Sequence, residues 1–153
     1  MTLDKYAKPE IERRFRLDGV PPAASDPVEI TDRYLEGGHL RLRCVRTPGQ
    51  PPTYKLGHKH RPDPDDPLLV LHTSLYLTEV EHSMLEQLPG RVLRKTRLRM
   101  DLDGRAARVD AFHGPREGLV LLEVGFGADE DPRAFVPPAW VGPETDLSGG
   151  DLA

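Results

Sequence analysis

Cysteine is nearly absent: Cys44 is the only one, so no intramolecular disulfide can form and stability must come from packing and polar contacts. A lone thiol fits a reducing compartment, and the expected location is the cytoplasm. Long apolar runs are missing too. No stretch could span a bilayer, and the start of the chain shows no apolar segment ahead of a cleavage site. A strong charge of one sign is also lacking. The net charge is only −4, so nothing suggests a bulk nucleic-acid coat or a membrane-surface protein, and neither nucleic acid nor membrane is expected as a partner. Apolar residues make up only 37% of the chain. No internal repeat is visible.

Charge and turn residues take their place. Thirty per cent of the residues are charged, and the chain holds 16 prolines and 14 glycines. That composition suits a mostly β protein with frequent turns and does not suit a helical bundle. The length of 153 residues suits one domain, 1–153, with a sizeable core.

The segment Glu10-Ile11-Glu12-Arg13-Arg14-Phe15 alternates with period two. On a strand, Glu10, Glu12 and Arg14 leave from one face, and Ile11, Arg13 and Phe15 from the other. The ionic alternation recurs. Arg41 and Arg43 share a face opposite Leu40, Leu42 and Cys44, and Cys44 reads as a buried filler. Lys55 shares a face with Lys59, Lys95 with Arg97 and Arg99, and Arg108 with Asp110. Glu123 interrupts the otherwise apolar run that begins at Leu119.

Turn signals divide these stretches into strands over about 10–17, 28–35, 39–45, 54–60, 68–76, 92–102, 105–112 and 119–126. Asp103-Gly104 is a two-residue hairpin signal; it pairs Leu102 with Arg105 and so sets Arg97 opposite Asp110. Asp110 reads as a structural partner of Arg97. Residues 61–67 read as an acidic, Pro-punctuated loop and the segment most prone to disorder. Thr78-Glu79-Val80-Glu81 has the spacing of a capping box, followed by an apolar stripe of Val80, Met84, Leu85 and Leu88. The stripe predicts a helix packed on the outside of a sheet, with Met84 as core filler and His82 at the surface. Asp131-Pro132 predicts a capped short helix. The tail from Gly142 onward shows no element.

Two arrangements accommodate the ionic faces. On an open sheet they simply face water. In a sheet closed on itself they face a lumen, and outer helices cover the apolar faces. The apolar flanks of Glu123 favour closure, as does the gathering of basic residues on strands while acidic ones crowd loops. Confined Lys and Arg repel one another and imply an anionic guest. Carboxylates among them imply Mg²⁺ or Mn²⁺, which prefer oxygen ligands. The usual Cys/His spacings of a zinc site are absent, and no Ser/His/Asp triad is evident.

Taken in order, these motifs resemble the CYTH or triphosphate tunnel metalloenzyme family, which includes inorganic triphosphatases, thiamine triphosphatases and class IV adenylyl cyclases. Glu10, Glu12 and Arg14 are similar to its E-x-E-x-K strand. Asp32-Arg33-Tyr34-Leu35 resembles the next strand, and Leu40-Arg41-Leu42-Arg43 the basic one after it. Tyr54 to Lys59 resembles the lysine strand and Leu93 to Arg97 the K-x-R element. Val109 to Phe112, Gly118 to Phe126, and Pro138-Ala139-Trp140-Val141-Gly142 complete the likeness, from about Tyr6 to Thr145.

The resemblance implies an α+β fold, a closed antiparallel eight-stranded tunnel with outer helices. It implies metal-dependent hydrolysis of inorganic triphosphate or a small organic triphosphate. Glu10, Glu12 and Glu123 would hold the metal ion. Arg14, Arg41, Arg43, Lys55, Lys59, Lys95 and Arg97 would hold a triphosphate-containing small molecule. A homodimer is compatible with it. Two departures keep a second reading open, a non-catalytic polyphosphate- or nucleotide-binding module: the terminal E-x-E reads Glu123-Val124-Gly125, and the R-x-E-x-E strand reads Leu71-His72-Thr73-Ser74-Leu75.

Overall fold

The computed structural model describes residues 5–153. In chain order it contains β1 (Lys8–Leu17), β2 (Ser25–Leu35), β3 (Leu40–Arg46), β4 (Thr53–His60), β5 (Leu69–Leu77), α1 (Glu79–Leu85), β6 (Gly90–Leu102), β7 (Arg105–Phe112), β8 (Val120–Phe126), β9 (Glu144–Thr145) and α2 (Gly149–Leu152). One-turn 3-10 helices follow His113 and Asp131. The strands predicted from alternation all form, with ends shifted by up to three residues.

The order β5-β4-β3-β2-β6-β7-β8-β1 is closed by pairing of β1 with β5, which makes an eight-stranded antiparallel barrel. β1 performs the closure. One of its edges pairs with β8 from Ile11 to Leu17. The other meets β5 over Lys8 to Ile11 and the short β9 at Arg14 and Phe15. The hairpin turns on Asp103 and Gly104, both at positive φ, which matches the right-handed twist of the strands it joins. Leu102 faces Arg105, and Arg97 faces Asp110, as the turn predicts.

Because side chains alternate, the faces opposite the ionic rows carry the apolar core. Phe15, Val109, Leu122 and Val124 are its fully buried centre, with Leu17, Leu102, Ala107 and Val120 around them. The expected outer helices do not cover this face. Loops do: Ala24 comes from the β1–β2 connection, and Phe135 and Val141 from the segment after β8. Arg13, on the outer face of β1, pins that segment. It donates to Glu144 through two nitrogens and to the carbonyls of Pro132 and Phe135.

α1 has its capping box, Thr78 with Glu81, but its phase differs from the expected one. Met84 is 68% exposed and His82 only 9%; the His82 ring lies 4.7 Å from that of Tyr54. A two-turn helix offers the sheet about one residue per turn. The Thr78 cap fixes which, and places His82 and Leu85 toward β4 and β5. The acidic loop 61–67 folds back on itself, with Asp63 accepting from the Asp65 amide and Arg61 donating to the Pro67 carbonyl. Among the described residues, no helix is long and apolar enough to cross a membrane.

The tail is structured after all. After β9, Ser148 and Asp151 cap the single turn of α2. Leu152 packs against Leu93, Phe112 and Leu121 at one end of the barrel interior. Arg116 and Arg91 donate to the carbonyls of Leu152 and Ala153. Elements of two and four residues leave no period to read, so tertiary contacts specify them.

The tail enters this position through Gly142. Its amide donates to the Arg16 carbonyl at 2.9 Å, and a Cβ there would lie 2.5 Å from that oxygen. Gly142→Ala should therefore cost about 1–3 kcal/mol, the usual cost of overpacking, read as a lower midpoint in urea unfolding. An unchanged midpoint would mean that the tail docks without this close approach.

Candidate functional site

The inward faces enclose a cavity of about 1480 Å³. All ten side chains singled out from the sequence line it: Glu10, Glu12, Arg14, Arg41, Arg43, Lys55, Lys59, Lys95, Arg97 and Glu123. Arg108, Asp110 and His72 join them. Strand phase is the cause, since residues two apart on a strand leave the sheet from the same face.

At one side of the lumen β1, β8 and β7 build a ring of alternating charge. The register sets Arg14 opposite Glu123, and Glu123 opposite Arg108. Arg14 donates to Glu12 at 3.0 Å and to Glu123 at 3.2 Å. Arg108 Nη2 lies 2.9 Å from Glu12 and 2.8 Å from Glu123. Burial opposes ionisation of Glu123, but Arg97, Arg108 and Arg14 outweigh it and bring its carboxyl down to about 2. Glu12 moves the other way, raised by burial and by the neighbouring Glu123 charge. Opposite shifts in adjacent carboxyls are the mark of a pair that titrates as a unit.

Two buried aspartates hold the lumen's cations in place. Asp32 is 0% exposed and accepts both Nε (2.7 Å) and Nη2 (2.8 Å) of Arg43, with Arg41 Nε 3.9 Å away. Asp110 accepts the Arg97 fork at 2.7 and 2.8 Å and Lys95 Nζ at 2.9 Å. Both carboxyls stay below the ordinary range, because these cations overcome the cost of burial. Lys95 is lowered to about 8, by burial first and then by Arg97 and Arg43, against the pull of Asp110.

Opposite the ring, β3 and β4 present cations with fewer partners, and β5 presents His72. Arg41 Nε is buried without a hydrogen-bond partner. Lys55 lies over the Tyr76 ring, 5.2 Å from its centroid, and among the described residues no carboxylate is within ion-pair distance of it. Lys59 donates to Glu10 at 3.0 Å, and His72 Nδ1 is 2.6 Å from the other Glu10 oxygen. Gly57 makes room for this arrangement: a Cβ there would stand 3.0 Å from His72 Nε2. Glu10 thus belongs to a separate cluster from the Glu12–Glu123 pair.

Three participants carry no readable role in the sequence alone. Arg108 was legible as the inward partner of Asp110 but not as the bridge between carboxylates, which needs the register of β1 against β8. Asp32 stood in a motif without a role. His72 gave no signal, since one histidine in an apolar strand has no pattern. Gly125 has open space: nothing lies within 4 Å of a Cβ built there.

No family model matches the chain. Over 144 residues it is 30% identical to an inorganic triphosphatase from Nitrosomonas europaea, a match covering 88% of this chain and 87% of that protein. Two crystal structures, one described as a hypothetical protein and the other as an inorganic triphosphatase, each align with a TM-score of 0.64 and 26% identity. They cover 94% of this chain and 97% of theirs.

The depressed carboxyls make acid stability measurable. Glu10, Asp32, Asp110 and Glu123 have lower pKa values folded than the roughly 4 they take when unfolded. Their stabilisation is complete above the unfolded value and is lost as pH falls through the folded one. Glu12, shifted upward, offsets part of this. The melting temperature should fall steeply from about pH 4 to about pH 2. A flat profile there would contradict the ion pairing described.

Proposed function

The chain belongs to the CYTH, or triphosphate tunnel metalloenzyme, family, and on that premise we propose that it hydrolyses inorganic triphosphate or a small organic triphosphate inside its barrel. The observation that carries the reading is one cavity in which a close pair of carboxylates faces an excess of fixed cations. The 30% identity to an inorganic triphosphatase supports the same reaction class.

A divalent cation fits the carboxylate pair. Glu12 and Glu123 offer hard oxygens, and a single nitrogen already sits within 2.9 Å of both. Mg²⁺ and Mn²⁺ commonly bind through one or two carboxylates plus substrate phosphates, so a full protein cage is not required. Among the described residues no group of three or more His, Cys, Asp or Glu is placed to hold a metal ion, in keeping with the withdrawal of Glu10 to Lys59 and His72. Glu12 and Glu123 would therefore hold the ion, with Glu10 as a third candidate. Such an ion supplies charge neutralisation on phosphate oxygens.

The chain's own groups do the rest. Arg41 and Lys55, with few partners, take the phosphates most readily. Arg43, Lys59, Lys95 and Arg97 add positive charge already fixed in direction by Asp32, Glu10 and Asp110, and Arg14 does so from the carboxylate side. Preorganised donors need no rearrangement as charge develops. Water attacks the terminal phosphorus, the new P–O bond replaces the bridging P–O bond, and diphosphate departs with the bridging oxygen. The arginine forks can each grip two oxygens, whereas the lysines act as point charges.

Gly125 and the His72–Ser74 strand favour a second reading, a binding module without turnover. Phosphate release over a panel of triphosphates, with Mg²⁺ or Mn²⁺, separates the two. The wild type should release phosphate, and Glu123→Gln should lose at least about a hundredfold in rate while still binding triphosphate. A wild type that binds triphosphate without releasing phosphate, and gains release through Gly125→Glu, would establish the second reading. Without metal, triphosphate should raise the melting temperature well above the effect of equimolar monophosphate, and Lys55→Ala should diminish that rise. Equal shifts with both anions would argue against a polyphosphate site.

A further inference from the structure

Arg108 Nη2 occupies a cation position between two carboxylates, 2.9 Å from Glu12 Oε1 and 2.8 Å from Glu123 Oε1. Arg14 spans the other two oxygens of the same pair. With both guanidiniums in place the ring of four side chains is neutral, and Arg97 Nη2 stands a further 3.7 Å from the Glu123 oxygen that Arg108 meets, so the carboxylates have no free charge to offer a metal ion. The two arginines differ in freedom. The Arg14 side chain is 22% exposed and that of Arg108 is 43%, so Arg108 has a route toward solvent.

We propose that Arg108 is a resident counter-ion that neutralises the Glu12–Glu123 pair in the resting protein and must leave it before a divalent cation can bind there. The inference rests on the reading of that pair as the metal-holding one. Arg108 is then a positioning residue with two stations. In the first its guanidinium stands between the carboxylates. In the second it is released into the lumen, where its fork suits a phosphate oxygen pair. Metal binding without an anion strands the guanidinium, and a triphosphate chain gives it a new partner. The exchange restrains metal loading until substrate is present.

Electrostatics sets the scale. A unit positive charge about 5 Å from a divalent ion lowers its affinity about tenfold even at the dielectric constant of water. Removing the Arg108 charge should therefore tighten metal binding, the reverse of what loss of a metal-site support would do. Arg108→Lys keeps the charge and gives up the fork, which separates the two effects.

The test is a Mn²⁺ titration of the full chain without substrate, read by the electron paramagnetic resonance signal of free Mn²⁺. Arg108→Gln should bind Mn²⁺ about tenfold more tightly than wild type, and Arg108→Lys should stay within about threefold of it. Mn²⁺ should also raise the melting temperature of Arg108→Gln more than that of wild type. If Arg108→Gln does not fold, Arg108→Met removes the same charge while keeping an apolar stem. Unchanged or weaker Mn²⁺ binding on loss of the charge, with binding still abolished by Glu123→Gln, would overturn the proposal and leave the carboxylate pair as the metal site. Mn²⁺ binding that is absent in every variant, or indifferent to Glu123→Gln, would overturn the reading of the pair and the proposal with it.

Discussion

Like charges confined in a lumen must be compensated, and most of this molecule follows from how that is done. Arg41, Arg43, Lys95 and Arg97 share one interior. Without Asp32 and Asp110 their repulsion and desolvation would work against closure. Each aspartate meets an arginine fork through two bonds, so compensation and orientation come from the same contacts. The depressed aspartate carboxyls and the lowered Lys95 express the two sides of that balance. What remains uncompensated, chiefly around Arg41 and Lys55, is the lumen's capacity for an anion.

Closure of the sheet depends on the same alternation. Because Glu12, Arg14 and Glu123 point inward, Phe15, Leu122 and Val124 must point outward, and loops rather than helices bury them. Arg13 connects the two sides of the wall: on the outer face of β1, it ties down the segment that carries Phe135 over the core and leads to β9. Interior charge and exterior packing are thus consequences of one period-two pattern, read from opposite faces.

That pattern explains what was legible in the chain. Strands with a strict alternation, such as Glu10 to Phe15 and Arg41 to Cys44, gave their own inward and outward faces. The Asp103-Gly104 turn gave the register that joins Arg97 to Asp110. Features set by contacts between distant strands were not legible. The withdrawal of Glu10 to His72 requires pairing of β1 with β5, and the Arg108 bridge requires three strands in register. α1 misled for a different reason: its apolar stripe was real, but so short a helix follows its cap, and His82 took the place expected for Met84. The tail's single turn is specified by the pocket that receives Leu152.

The proposed reaction requires a triphosphate chain inside this barrel, between the Glu12–Glu123 pair and the cations of β3 and β4. The most direct measurement is a crystal structure of the Glu123→Gln protein grown with triphosphate. Density for three linked phosphates is expected within the lumen, with oxygens in hydrogen-bond contact with Arg41 and Lys55. Triphosphate bound to the outer face of the barrel, or a lumen holding only solvent at saturating ligand, would contradict it.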